Sequence, residues 1–346
     1  MLKTKKQEFL IFLIIVGVAS FFRLYQLDIF PPGLEINAWP LRIFSAIIGI
    51  LTVIGLYLLT KELFEWRLAA IASFLLAISF WHVNFSRIGL QAITLPFVLV
   101  YAFYFLWKGI KHNHLPDFII AGIFGGLGFY TDTSYCVAPL MAIALFVNYW
   151  WYLKKDFYFS KYEHAKNQLL RGFALFAITA IIVALPIGFY FWQHPGELMK
   201  QTVELRQLPT NIVKTLEMFN FSDNPMLPWP IGVFFAVGFI NELIHWAKRK
   251  HGHFSTVHTL IFAWFFTMLL PGFLSIEAPD ALKTIGVLPV VMIFIARGIW
   301  LFFDKLSTWY SLNDPHSKHE AHAITALVMI VFLFSIGFME YWRYFK

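Results

Sequence analysis

The chain has 346 residues, of which 59% are apolar and 14% charged, against about 45–50% and about 25% in soluble domains. Its 40 Phe, 14 Tyr and 13 Trp exclude a disordered chain or one built to bind nucleic acid, and the composition calls for lipid as solvent. The net charge of +7 has no meaning as a total, because in a membrane protein the side on which each charge falls decides its effect.

At about 20 residues per crossing, with connections of about ten, the chain accommodates roughly eleven crossings. The first apolar run, Phe9–Phe22, follows Lys3, Lys5 and Lys6 and reads as a retained membrane helix rather than a cleaved signal peptide. Further runs cover Pro40–Leu59, Leu68–Phe85, Ile93–Trp107, Phe118–Tyr130, Val137–Leu153 and Phe173–Trp192. Four more follow at Pro230–Trp246, Thr259–Leu274, Ile285–Phe303 and Ala323–Phe338. The expected architecture is an all-α polytopic membrane protein, a single integral membrane domain over residues 1–346 with no separate soluble domain. The lone cysteine, Cys136, forms no internal disulfide, and the absence of Cys/His ligand spacing predicts neither a metal nor a redox centre.

With a cytoplasmic N-terminus, 17 of the 27 Lys and Arg fall in inside connections and nine lie outside, Arg297 being left within a helix. That bias predicts a multi-pass protein of the cell membrane with its N-terminus in the cytoplasm and its C-terminus outside. The basic, aromatic stretch Lys154–Arg171 reads as an anchor on anionic lipid heads. His251, His253 and His258, beside Lys248, Arg249 and Lys250, read as a solvated basic loop without a role.

The polar residues that hydropathy does not explain gather on the outer side. The first outer loop carries Asp28, the rigid Pro31-Pro32-Gly33 turn and Glu35. Arg87 sits in a connection too short to hold it far from the membrane, where an unpaired charge costs several kcal/mol. It should therefore have an anionic partner, and its planar fork of donors suits a phosphate at the outer leaflet. Lys283 enters a helix after the Pro279 turn and is a second phosphate contact or an interfacial anchor. Asp132 ends a helix rich in glycine (Gly122, Gly125, Gly126, Gly128), whose small residues permit close helix packing.

The stretches FRLYQLDIFPPGL (Phe22–Leu34), LRIFSAIIGILTVIGLYLLTKELF (Leu41–Phe64), FWHVNFSRIGLQAITLP (Phe80–Pro96) and GGLGFYTDTSYCVAPL (Gly125–Leu140) resemble the membrane-embedded glycosyltransferases of family 39. NIVKTLEMFNF (Asn211–Phe221) and APDALKTIGVLPVV (Ala278–Val291) resemble their bacterial branch. These relatives of the protein O-mannosyltransferases and lipid A aminoarabinose transferases have the fold called GT-C. The resemblance implies a sugar taken from a polyprenyl-phosphate carrier and passed to a hydroxyl of a lipid, protein or glycan outside the membrane. No obligatory metal or other cofactor is expected, since no metal-ligand cluster is evident, although some relatives in the wider fold use a metal. It implies a phosphate contact at Arg87, with Lys283 in place of the arginine usual in the later motif. It also implies a carboxylate base, for which Glu35 is the first candidate and Asp132 the second. The chain departs from the family pattern in its first outer loop, where Gly33 to Trp39 replace a long segment, so that Glu35 is the acid that remains after the turn. The alternative is an inactive or internally shortened relative that binds a lipid-linked glycan or a partner. A transporter is disfavoured because no paired broken helices or midplane charges are evident.

Overall fold

Lipid offers the backbone no hydrogen-bond partner, so each apolar run must satisfy its own N–H and C=O groups, and all eleven runs are helical. The computed structural model describes residues 2–29, 31, 39–156, 159–195, 207–222, 225–248, 253–313 and 318–346. Among these are 13 α-helices. They are α1 (Leu2–Leu24), α2 (Trp39–Leu63), α3 (Trp66–Ile78), α4 (Phe80–Arg87), α5 (Thr94–His112), α6 (Leu115–Leu127) and α7 (Pro139–Asp156). There follow α8 (Phe159–Gln193), α9 (Leu208–Asn220), α10 (Trp229–Lys248), α11 (His253–Phe273), α12 (Leu288–Asn313) and α13 (Lys318–Phe345). Short 3-10 turns precede α5, α7 and α12 and follow α6. Nine described helices are long and apolar enough to cross a membrane. The pair α3 and α4, bent by 55°, makes a tenth if taken as one span, and Leu115–Tyr130 is a shorter apolar helix. The protein is thus an all-α, multi-span membrane protein. The end of the bundle reached by the C-terminus of α1 is called distal below, and the end holding the N-terminus proximal.

The broken span is a departure from the sequence reading, which treats Leu68–Phe85 as continuous. In an unbroken helix the carbonyls of Leu76 and Ala77 would accept from the amides of Phe80 and Trp81. Here the Phe80 amide donates instead to Glu340 Oε2 of α13 at 2.7 Å. The two carbonyls accept from Arg23 of α1, Leu76 O from Nη2 at 3.3 Å and Ala77 O from Nη1 at 2.9 Å. Arg23 and Glu340, 0% and 2% exposed, therefore close the break from opposite sides. Arg23 Nη2 also lies 2.7 Å from His82 Nδ1; because a guanidinium only donates, that nitrogen is the acceptor.

The centre of the bundle is α12, whose Val290, Val291, Phe294 and Ile295 are fully buried. Its approach to α10 is backbone to backbone: a Cβ on Gly238 would lie 1.8 Å from Phe294 O, and one on Gly298 2.0 Å from Phe234 O. The glycines of α6 act similarly, Gly122 and Gly126 lying under the carbonyls of Phe176 and Ala180 of α8. At the proximal end Lys61 pairs with Glu8, and Lys111 with Glu62 at 2.9 Å. His258 does not lie in a solvated loop, as its basic neighbours suggest. It is buried on α11, 2.9 Å from Glu242 Oε2 of α10. The other oxygen of Glu242 takes Arg297 Nε at 2.5 Å, which supplies the partner that a charge inside a membrane helix requires.

Candidate functional site

At the distal end the chain leaves α1 through a turn in which Gln26 has a φ of 49°. The last carbonyls of a helix have no partner within it. Arg87, the last residue of α4, supplies the donors. Its Nη1 reaches Phe22 O at 2.9 Å and Tyr25 O at 2.8 Å, and its Nη2 reaches Gln26 O at 2.9 Å. The charge is favourable at the negative end of the α1 dipole, and the side chain is fully buried. Tyr344 and Phe345 of α13 cover it, with ring centroids 5.4 and 5.2 Å from the guanidinium carbon. The Arg87 carbonyl in turn accepts from Arg42 Nε of α2 at 2.9 Å. Arg87 thus meets backbone carbonyls at the end of α1, the hydroxyl of Tyr344 and the field of the Asp28 carboxylate.

The other expected site residues lie at the same end. Asp132 is half-buried between α6 and α7 and accepts from the Ser134 amide at 2.8 Å, capping the 3-10 turn Thr133–Val137. Lys283 is half-buried on a turn organised by Asp280, whose Oδ1 accepts from the amides of Leu282 and Lys283 at 2.9 and 3.1 Å. Ser275 Oγ donates to the other oxygen of Asp280 at 3.2 Å. Trp264 Nε1 donates to Gly286 O at 2.8 Å and fixes the far side of the turn. Asp28 is exposed at the end of α1, and Glu35 lies outside the described residues. The sequence reading missed Arg23, Arg42 and Glu340 as organising residues. For Glu340 the available signal was an acid three residues before Arg343, near the end of an apolar run.

Between α5, α6, α7 and α8 lies a cavity of about 900 Å³. Its walls are hydrocarbon and aromatic, among them Phe103, Ile143, Phe173 and Ile181, and the hydroxyl of the lining Tyr135 is taken up by Gly125 O at 2.7 Å. The residues that α8 contributes run from Leu170 to Trp192, about 33 Å of helix and so about the thickness of a bilayer core. Ile143 and Ile181 are 56% and 63% exposed, so the cavity opens sideways toward lipid. Its distal mouth at Tyr135 is three residues from Asp132.

The profile of the family described as dolichyl-phosphate-mannose-protein mannosyltransferase matches residues 18–179, a stretch that takes in Arg23, Arg87 and Asp132 and extends from α1 into α8. Among curated proteins none matches. Among solved structures the chain is similar to the oligosaccharyltransferase of Archaeoglobus fulgidus. Tethered to an acceptor peptide with an NVT sequon, that protein superposes with a TM-score of 0.52 at 17% identity, over 92% of this chain and 46% of its own. Its complex with zinc and sulfate gives 0.51 at 18%, over 84% and 39%, and its apo form 0.52 at 17%, over 92% and 47%. This chain therefore spans less than half the length of the oligosaccharyltransferase. The resemblance read from the sequence stands on both findings: residues 18–179 match the protein mannosyltransferase family, and the bundle has the GT-C fold of the oligosaccharyltransferase.

Proposed function

We propose that the protein is a glycosyltransferase that takes a sugar from a polyprenyl-phosphate carrier and passes it to a hydroxyl of a lipid, protein or glycan on the extracytoplasmic side of the cell membrane. The observation that carries this reading is the cavity among α5 to α8. A polyprenyl tail is a long, uncharged hydrocarbon, and a cleft open to lipid, almost without polar wall atoms and lined along one wall by α8 over about 33 Å, suits such a chain. The cleft leads to the distal end, where the charge bias places the outside. There the acceptor oxygen attacks the anomeric carbon, the bond from that carbon to the phosphate oxygen breaks, and a carboxylate removes the acceptor's proton. Glu35 is that base in this reading, Asp132 stands second, and Lys283 meets the departing phosphate.

The test uses purified protein in nanodiscs, a polyprenyl-phosphate sugar as donor, and a polyprenyl phosphate with a photoreactive tail as probe. Light should attach the probe to peptides of α7 and α8. Ala177→Trp, which fills the cleft, should weaken its binding by about tenfold, or about 1.4 kcal/mol. Transfer by the parent together with cleft labelling supports the proposal. Labelling without transfer points to the inactive relative, and labelling no stronger than that by a photoreactive phospholipid removes both.

A further inference from the structure

Arg87 holds a place that its terminal nitrogens alone do not explain. Its side chain donates to Phe22, Tyr25 and Gln26 at the end of α1, and its main-chain carbonyl accepts from Arg42 in the first turn of α2. Those two helix ends are the stems of one connection, the first distal loop, which carries Pro31-Pro32-Gly33 and Glu35. One residue thus holds both stems, with the side chain on one and the backbone on the other.

The surroundings reinforce the tie. Two residues after Arg87 the chain turns at Gly89, whose φ is 76°. A Cβ there would stand 3.4 Å from the Leu41 side chain and 3.5 Å from the Arg42 amide nitrogen, so α4 exits directly against the start of α2. On the opposite flank Phe345, which lies over the guanidinium, packs on Tyr25 at 5.7 Å and on Phe22 at 6.3 Å between ring centroids. A guanidinium suits this position because its rigid fork serves several carbonyls at fixed angles, which a single ammonium point charge does not. A phosphate reaching Nη1 would have to displace one of the two carbonyls that this nitrogen already serves at the end of α1.

We infer that Arg87 is a positioning residue that ties the two stems of the first distal loop, and not a ligand of the carrier phosphate. The inference rests on the proposed transfer reaction only in that the loop is taken to carry its base. Removing the side chain should therefore leave carrier binding intact, widen the spread of stem separations, and slow transfer by misplacing the base.

The experiment pairs two readouts that need no turnover with one that does. Spin labels at Asp28→Cys and Leu41→Cys, both exposed positions, in a Cys136→Ser background report the stem separation. Binding of a polyprenyl monophosphate in nanodiscs reports the carrier. In Arg87→Gln the distance distribution should broaden, binding should stay within about twofold, and kcat should fall about a hundredfold with KM for the carrier unchanged. Arg87→Lys should recover part of the narrow distribution. Arg42→Gln, which cuts only the tie to α2, should broaden it with the Arg87 side chain in place, and it stands in if Arg87→Gln does not fold. Carrier binding weakened about tenfold or more in Arg87→Gln, or an unchanged distance distribution in both Gln variants, overturns the inference. If the parent transfers no sugar, the proposed function fails, while spacing and binding still decide the role of Arg87.

Discussion

Replacing Arg23 by Met keeps most of the side-chain volume and removes every donor at the break between α3 and α4. Four contacts are lost: Ala19 O at 3.1 Å, Ala77 O at 2.9 Å, Leu76 O at 3.3 Å and His82 Nδ1 at 2.7 Å. Ala19 lies within α1, so its carbonyl retains a helical partner, and the histidine can turn its ring. The carbonyls of Leu76 and Ala77 are different, because the amides that would serve them in a continuous helix lie beyond the bend. Two buried acceptors left without a donor cost about 1–3 kcal/mol each. Set against that, Met removes a cation whose burial is itself unfavourable. The orphaned carbonyls should prevail, since the guanidinium leaves no unpaired countercharge behind, and the net loss should be about 2–4 kcal/mol. Arg23→Lys, which keeps the charge but not the fork, should lose about half as much. Reversible unfolding in mixed micelles across a denaturing-detergent series measures both. An Arg23→Met variant as stable as the parent, or more so, would refute the reasoning and show that apolar packing alone holds the bend.

Gly298→Ala puts a methyl 2.0 Å from Phe234 O at the backbone contact of α10 with α12. A rigid main-chain atom cannot yield, so the variant should lose more than about 3 kcal/mol and give little monodisperse protein on size exclusion. Glu242→Ala leaves Arg297 and His258 without the carboxylate they share. It should cost about 3–5 kcal/mol in the same unfolding assay, and Glu242→Gln, which keeps an acceptor oxygen, should cost less.

The spans were legible in the sequence because the signal there is hydropathy summed over about 20 residues, and lipid leaves the helix as the one open-chain solution. The glycine row of α6 was legible for a related reason, since small residues in an apolar helix mark close approach. The break at Ser79 was not. No Pro or Gly marks it, and what holds it are a residue on α1 and another on α13, 53 or more positions away in the chain. His258 was misread because its neighbours in sequence are basic, whereas its neighbour in space, Glu242, lies on another helix. Residue type put Arg87, Asp132 and Lys283 at one end of the bundle through the alternation of spans, and the structure brings them there. Residue type could not say that the fork of Arg87 meets carbonyls, since both carbonyls and phosphate present oxygen acceptors.

The same contacts explain how a rim helix can matter to a site. In lipid no hydrophobic force docks one apolar helix on another, and α13 faces outward along much of its length, with Phe334 74% exposed. Its last turns hold it instead: Glu340 on the Phe80 amide, Arg343 Nη2 on Pro225 O at 2.6 Å with its guanidinium 4.4 Å from the Phe80 ring centroid, and Tyr344 and Phe345 over Arg87. Through these contacts α1, α4, the start of α2 and the end of α13 form one polar-braced block at the distal end. The cleft among α5 to α8 has the opposite character: its walls are apolar, and the hydroxyl of Tyr135 that lines it is taken up by Gly125 O. Bracing by buried polar contacts and an apolar cleft thus fall on different sets of helices.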